Sequence, residues 1–309
     1  MPFSVRHLLK NRNFIFSVAF LLGLIWGDYA SLLKRFILPA LVVIMSLSTT
    51  QISLSQLIHF KKYFRDIYFV FLINYIFLSG LILLANQLLV TDRDLYMGFV
   101  VMAAIPPALA ILPFTYLLKG EMMVSLFGSA GLYILALGMA PLISFLFLEF
   151  GEIEPLKLIS SLIQLILIPF IVSRVLLKWR AFHRLKENTG VFINLAFFLI
   201  IFTVIGLNRS TFLSHFDVLI LVSFIAFLRT FVSGHLINIF SKLAGTDRER
   251  RMSYVLFGSF KNLGLAAAIA IVLFNERAAI PAAVTIPFEI LFFIWFNYFQ
   301  KRWDEKQMP

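Results

Sequence analysis

The sequence predicts an all-α polytopic membrane protein built from ten transmembrane helices. Composition is the first reason, since 61% of the 309 residues are hydrophobic and only 14% are charged. A soluble domain carries about 25% charged and roughly 45–50% apolar residues. Spacing is the second reason, because the apolar residues gather in stretches of about 20, the length that crosses a bilayer as a helix. We therefore expect an integral membrane protein whose outer surface meets lipid.

Ten such stretches follow one another, and no connection between them resembles a soluble domain. Five fall in residues 1–150 and five in residues 151–309, so the chain divides into two five-helix halves. Because five is an odd number, the second half must run inverted relative to the first. The predicted spans are 13–29, 35–51, 67–90, 96–118, 122–148, 156–177, 190–207, 216–241, 252–274 and 278–300.

The basic residues alternate between the two sets of loops. Of the 27 Lys and Arg, 19 fall at the N-terminus, the C-terminus and the loops on their side, and 6 fall in the other loops. The remaining two, Arg229 and Lys261, lie within spans. By the positive-inside rule both termini are cytoplasmic, in a plasma membrane such as the bacterial inner membrane. This bias explains the net charge of +11, so we expect no nucleic-acid partner.

Enzymatic and metal-binding functions lack the residues they need. The sequence has no cysteine, which excludes Cys-ligated zinc, iron–sulfur clusters and thiol nucleophiles. Its histidines are scattered without a metal-binding spacing, and no glycine-rich phosphate loop is present. Gly128–Gly131 has the wrong order for the serine motif of intramembrane proteases, and Asp28 and Asp217 lie only at span edges. We expect a protein that is not an enzyme and binds no metal or cofactor.

Two spans carry helix-breaking residues in their middles at matching positions. Pro106-Pro107 interrupts span four and Asn262-Leu263-Gly264 interrupts span nine, 156 residues later (262 minus 106). A broken helix frees backbone polar groups, which membrane depth tolerates only around a polar cavity or inside protein. Matched interruptions therefore indicate the substrate site of a secondary transporter, although a pair of structural kinks is the alternative. The predicted break residues are Pro106, Pro107, Gly258 and Gly264.

Four further motifs, in order and spacing, resemble those of the bile acid:sodium symporters, relatives of the arsenite efflux permeases. Leu38-Pro39 with Met45–Ser48 is similar to the pattern of that family's second span, and Thr115–Gly120 to the end of its fourth. Asn208–Ser210 resembles the end of the seventh span, and Asn262–Ala266 the middle of the ninth. The resemblance covers nearly the whole chain.

The resemblance implies a panel domain of spans 1, 2, 6 and 7 beside a core domain of spans 3–5 and 8–10. Within the core, broken spans four and nine cross at their centres. The implied function is secondary-active transport of a small organic anion or amphipathic solute by alternating access. The alternative is a membrane sensor or scaffold that derives from a transporter and binds its ligand without moving it.

The sodium ligands of that family are largely replaced in this sequence. Ile111 and Leu112 stand where the fourth span has two polar ligands, Phe257 replaces the carboxylate of the ninth span, and Lys261 replaces its glutamine. Sodium prefers several oxygen ligands, ideally with a carboxylate among them. We therefore expect no sodium coupling. The residual matches to the cation site are Ser125 and Ser129.

Three charged residues within spans are the main functional candidates, because buried charges in membranes are costly and usually functional. Lys261 can place its own charge where a cation would sit, or load and release a proton. Glu289, near the middle of span ten, can pair with Lys261, and Arg229 can bind an anionic substrate or pair with Glu289 instead. The remaining candidates for substrate or proton binding are Asn262, Thr115 and Asn74, with Tyr75 an equally good match to the position of Asn74.

Overall fold

The computed structural model describes residues 12–50, 60–108, 110–148 and 188–307, together with short pieces between 160 and 182. Within these ranges the secondary structure is helical, apart from one isolated bridge between two residues. Six of the described helices are long and apolar enough to cross a membrane, which supports an integral membrane protein. The predicted sixth span at 156–177 is described only in part, at residues 160, 168, 169 and 171–177, which are helical.

The helices are named here in chain order. They are α1 Arg12–Ile25, α2 Ile37–Thr49, α3 Phe64–Leu89, α4 Arg93–Ala104, α5 Ile111–Leu117, α6 Met122–Phe147, α7 Thr189–Leu207, α8 Phe216–Leu243, α9 Arg248–Phe257, α10 Leu263–Leu273 and α11 Ile280–Gln307. Span one ends earlier than predicted, at Ile25, and short helical turns over 27–36 lead into α2.

Both predicted interruptions are present as gaps between half-helices. The first half of span four, α4, ends at Ala104 because Pro106 and Pro107 lack the backbone N–H that would continue it. In span nine α9 ends at Phe257, and α10 begins after Asn262, whose side chain accepts the N–H of Leu265 at 3.2 Å. Such a side-chain acceptor is the usual N-terminal cap of a helix.

The two predicted glycine breaks have different positions in the structure. Gly258 directly follows α9, and a Cβ there would lie 2.6 Å from the side chain of Ile237 in α8. Gly264 instead belongs to the first turn of α10, where a Cβ would lie 2.9 Å from the ring of Phe197 in α7. Its role is therefore close helix packing, and the break itself falls before it.

The gaps in spans four and nine lie side by side. Pro107 and Lys261 form an antiparallel bridge, and the N–H of Asn262 donates to the carbonyl of Pro106 at 3.1 Å. These contacts pair some of the backbone N–H and C=O groups that the two gaps leave free, as the interior of a membrane requires. We call this junction of α4, α5, α9 and α10 the crossing.

The described helices pack in two groups. In the first group, α7 packs on α1 and α2, and Gly206 allows an approach so close that a Cβ would lie 2.6 Å from Ala30. In the second group, α4 packs on α3, α6, α10 and α11, while α8 packs on α9 and α11. The groups meet where α7 and α2 contact α10 and α7 contacts α11. The first group contains helices of predicted spans 1, 2 and 7, and the second contains helices of predicted spans 3–5 and 8–10.

The loops meet in two separate sets that match the charge pattern. The loops with few basic residues are joined by Lys34–Glu276, Arg277–Asp92 (2.7 Å), Arg209–Asp28 (2.9 Å) and Asn275–Asp94 (2.8 Å), which we call the ion-pair rim. The basic loops are joined by the N–H of Glu121 to the carbonyl of Glu249 (2.9 Å), Ser253 to the carbonyl of Glu121 (3.0 Å) and Arg250 to Asp66 (3.8 Å).

Candidate functional site

Lys261 lies at the crossing and is fully buried. Its Nζ donates to the carbonyls of Ala103 at 3.0 Å and Ile105 at 2.9 Å, and lies 4.4 Å from the ring centroid of Tyr75. All three neighbours are hydrogen-bond or π acceptors, so each is best met by an N–H of a protonated amine. The carbonyls also belong to the C-terminal end of α4, where the helix dipole is negative. These three contacts suit an ammonium group.

Arg229 and Glu289 form a buried ion pair beside Lys261. Arg229 Nη2 donates to Glu289 Oε1 at 2.7 Å and also to the carbonyl of Ser259. The same Oε1 accepts the backbone N–H of Lys261 at 3.0 Å. The carboxylate therefore takes Arg229 as its ion-pair partner, one of the two partners that the sequence left open. Lys261 contributes its backbone to Glu289, while its side chain turns to α4.

The carbonyls freed at the end of α9 are satisfied by side chains from two other helices. Asn74 donates to the carbonyl of Phe257 at 2.7 Å, Ser233 to that of Gly258, and Arg229 to that of Ser259. The last carbonyls of a helix have no partner within it, and leaving them unpaired in a membrane is costly. Asn74, one of the predicted candidates, thus stabilises the interruption between α9 and α10. Ser233 was not singled out from the sequence.

Both helices that supply these donors contain a π-helical turn. Asn74 lies in the turn Leu72–Leu78 of α3, and Arg229 lies in the turn Leu228–Val232 of α8. A π turn inserts one extra residue, which redirects the following side chains, and such turns are frequent at functional sites. In α3 the turn is followed by Ser79, which donates to the carbonyl of Ala103 at 2.7 Å.

A small cavity opens at the crossing, between the two helix groups. Its volume is about 40 Å³, where one water needs roughly 10–15 Å³. The cavity therefore has room for a small polar group. Its walls include Phe16, Phe197 and Ile201 from the first group and Ala110, Lys261, Asn262, Gly264 and Glu289 from the second.

Asn262 joins three helices at the wall of the cavity. Its amide nitrogen donates to the hydroxyl of Tyr133 in α6 at 2.9 Å and lies 3.7 Å from the sulfur of Met45 in α2. Its amide oxygen caps α10. Tyr133 was not among the predicted residues. The sequence of an otherwise apolar span does not show which neighbouring helix a polar side chain contacts.

Apart from Lys261, the positions that match sodium ligands include Phe257 in α9 and Ser125 and Ser129 in α6, which form a mostly apolar cluster. Phe257 is fully buried, and its ring lies 2.8 Å from where a Cβ of Gly128 would be. Thr115 and Ser125 share a hydrogen bond of 2.6 Å between their hydroxyls. The hydroxyl of Ser129 is buried and has no hydrogen-bond partner among the described residues. The described residues also contain no group of three His, Asp or Glu that could hold a metal ion.

The comparison with known proteins agrees with this architecture. The family model described as the SBF-like CPA transporter family matches residues 26–294, which include both breaks and all the candidate residues. No curated protein matches the chain. The predicted resemblance to bile acid:sodium symporters is thus confirmed at the level of the family. Since the match covers most of the 309 residues, the chain belongs to the SBF-like CPA transporter family, a family of membrane transporters.

Proposed function

We propose that the protein is a secondary transporter that moves a small organic anion by alternating access between its two helix groups. The carrying observation is the cavity at the crossing, which lies between the groups and has Lys261 and Glu289 in its wall. Arg229 and Lys261 are both fully buried there against the single carboxylate of Glu289. A buried excess of positive charge favours an anionic ligand.

The backbone at the crossing favours the same ligand. The first residues of α10, from Asn262 to Gly264, lie in the wall of the cavity. The N-terminal end of a helix carries a partial positive charge, which attracts anions. In transporters with broken helices, the half-helix N-termini point at anionic substrate groups in this way.

The repeat architecture of ten spans, 1–150 and inverted 151–309, is supported by a new regularity. The two π turns begin at Leu72 and Leu228, which are 156 residues apart (228 minus 72). This is the separation of the Pro106 and Asn262 interruptions. We place both termini in the cytoplasm and the protein in a plasma membrane. The cytoplasmic placement is supported by the contacts among the basic loops, which form one set, while the other loops form the ion-pair rim.

Sodium-independent transport follows from two replacements. The ring of Phe257 fills the space beside Gly128 and Ser129, where the resemblance implies oxygen ligands. The ammonium of Lys261 supplies a positive charge to the carbonyls at the end of α4. A proton gradient is the second source of energy, and the titratable groups in the cavity wall are Glu289 and Lys261.

The size of the cavity bears on the substrate. About 40 Å³ accommodates a few waters or one carboxylate-sized group. An amphipath with a large apolar body fits only after the two helix groups separate, in which case the phenyl rings of Phe16 and Phe197 line its path. We therefore place small organic anions before large amphipaths.

The experiment measures uptake of labelled organic anions into proteoliposomes that contain the purified protein, with protein-free liposomes as the control. The panel comprises acetate, pyruvate, benzoate and succinate, with glycerol as a neutral control. Saturable uptake of at least one anion and none of glycerol is the expected result. Binding of an anion without uptake would favour the alternative, a sensor or scaffold derived from a transporter.

A further inference from the structure

Among the residues that the structure describes, the buried charges at the crossing do not balance. Lys261 and Arg229 are each 0% exposed and Glu289 is 8% exposed, which leaves one positive charge more than negative. The fourth buried charged side chain of the described residues is Asp66. It lies away from the crossing, with Tyr254 and Arg250 in the basic set of loops, so it does not balance the excess.

The excess charge belongs to Lys261. Glu289 is engaged by the guanidinium of Arg229, whereas the described contacts of the Lys261 ammonium are with two carbonyls and an aromatic ring, all of them neutral. A protonated amine has three N–H groups for these three neighbours, whereas a neutral amine has only two. The three contacts therefore favour the protonated form of Lys261.

Arg229 offers further donors toward an anion. Its Nε and Nη1 are buried and have no acceptor among the described residues, although its Nη2 has two. A guanidinium carries five N–H groups in a planar fork that suits carboxylate oxygens. Unpaired donors of this kind are costly in a buried site unless a ligand or water meets them.

We propose that the crossing carries one fixed positive charge, held by Lys261, and that the protein therefore exchanges monoanions across the membrane. This inference rests on the proposed transport function. A bound monoanion brings the charge of the site to zero, so the loaded site crosses the membrane field without electrical work. The empty site keeps its charge, so its return is opposed by the membrane potential and by the burial of an unbalanced ion.

The size of the electrical effect follows from the potential. One charge that crosses the whole field meets about 2.3 kcal/mol per 100 mV, which is about 50-fold in an equilibrium or a rate. A charge that crosses only a third of the field gives about 4-fold. Exchange of one bound anion for another avoids this step altogether.

The first test needs no substrate, because it follows the empty site. The natural chain has no cysteine, so Ile201→Cys in the cavity wall gives a single reporter. In right-side-out membrane vesicles, valinomycin and potassium gradients set the potential, and an impermeant maleimide labels the reporter from outside. We expect an inside-positive potential of about 100 mV to speed labelling by about 4-fold to 50-fold relative to zero potential.

Three variants, each with the same reporter, identify the charge. Lys261→Gln should abolish the response to potential. Arg35→Gln removes an equal charge from an exposed turn and should leave the response intact. The paired change Arg229→Gln with Glu289→Gln keeps the net charge and should also retain it. An unaltered protein that ignores the potential, or a Lys261→Gln variant that still responds, would overturn the inference.

A flux measurement on the unaltered protein decides the matter if Lys261→Gln does not fold. Proteoliposomes at an inside-negative potential of about 100 mV take up labelled acetate, pyruvate or benzoate, with or without the same unlabelled anion inside. We expect internal anion to speed uptake by about 4-fold to 50-fold. Equal rates with and without internal anion would refute exchange but not the proposed transport function. Absence of uptake in both modes, with a voltage-responsive reporter, would refute transport and keep the charge assignment.

Discussion

The crossing and the ion-pair rim both contain charged side chains, but they differ in how these charges are paired and buried. In the rim each base has its own acid at the water-facing ends of the helices, as in Lys34–Glu276 and Arg277–Asp92, whose side chains are about a third or more exposed. At the crossing one carboxylate faces two buried bases. Exposed pairs of this kind contribute little to stability, whereas an unbalanced buried charge persists only where function requires it. The difference supports the proposal that the crossing is the transport site.

The largest expected effect is at the buried pair. Glu289→Gln leaves Arg229 buried without a counter-ion, and removal of one partner of such a pair costs roughly 3–5 kcal/mol. We expect a steep loss of folded protein, measured as the monodisperse fraction after extraction and as the melting temperature. The paired change Arg229→Gln with Glu289→Gln removes both charges and should recover much of that loss.

Lys261 gives the contrasting result, because its ammonium pairs with carbonyls rather than with Glu289. The stability lost in Glu289→Gln should therefore not be recovered when Lys261→Gln is added. If the combination Glu289→Gln with Lys261→Gln proved more stable than Glu289→Gln with Arg229→Gln, the assignment of the ion pair would be wrong.

The next effect concerns the apolar cluster that stands where sodium ligands are expected. Gly128→Ala places a Cβ 2.8 Å from the ring of Phe257. Overpacking of a buried site costs typically about 1–3 kcal/mol. We expect a lower melting temperature for Gly128→Ala, and recovery when Phe257→Leu shortens the neighbouring side chain. Gly138→Ala is the matched control, since a Cβ there meets nothing within 4 Å.

The smallest structural effect is in the rim. Lys34 lies before α2 and Glu276 follows α10, so their contact joins the two helix groups. Lys34→Gln should lower stability by about 1 kcal/mol or less, as for other exposed pairs. It should also speed external labelling of the Ile201→Cys reporter, because one contact between the groups is lost. Unchanged labelling would mean that the rim does not restrain their separation.

The rim pair also has a predicted pH dependence. The hydrogen bond from Lys34 holds the pKa of Glu276 below its usual value. A lowered pKa in the folded protein contributes stability above the pKa of the unfolded chain, which is about 4.3 for Glu, and that stability is lost as pH falls through the lower folded value. The difference in melting temperature between the unaltered protein and Lys34→Gln should therefore shrink between neutral pH and about pH 3. A difference that grew in acid would contradict this sign.

Much of this architecture could be predicted from the sequence, because it depends on local chemistry. Proline cannot continue a helix, so the break after Ala104 follows from Pro106 and Pro107. Asn262 is a good helix cap, and charges such as Lys261 stand out within an apolar span. The matching positions of the two breaks also required only the order of residues.

The contacts within the site could not be predicted, because they depend on the directions of side chains. The π turns of α3 and α8 change the helical phase by one residue, so an ideal helix would misplace Asn74 and Arg229. The choice of Arg229 over Lys261 as the partner of Glu289 depends on that phase. Ser233 and Tyr133 gave no signal, because single hydroxyls are common in transmembrane helices and most of them bond their own backbone.

The central claim is that the cation at the crossing is the ammonium of Lys261 and that no sodium ion is needed. The most direct test is uptake by proteoliposomes of whichever labelled anion the panel identifies, with sodium replaced by choline at fixed pH and fixed potential. We predict equal initial rates and equal half-saturating concentrations in the two media. A steep and saturable dependence of uptake on sodium would contradict the claim.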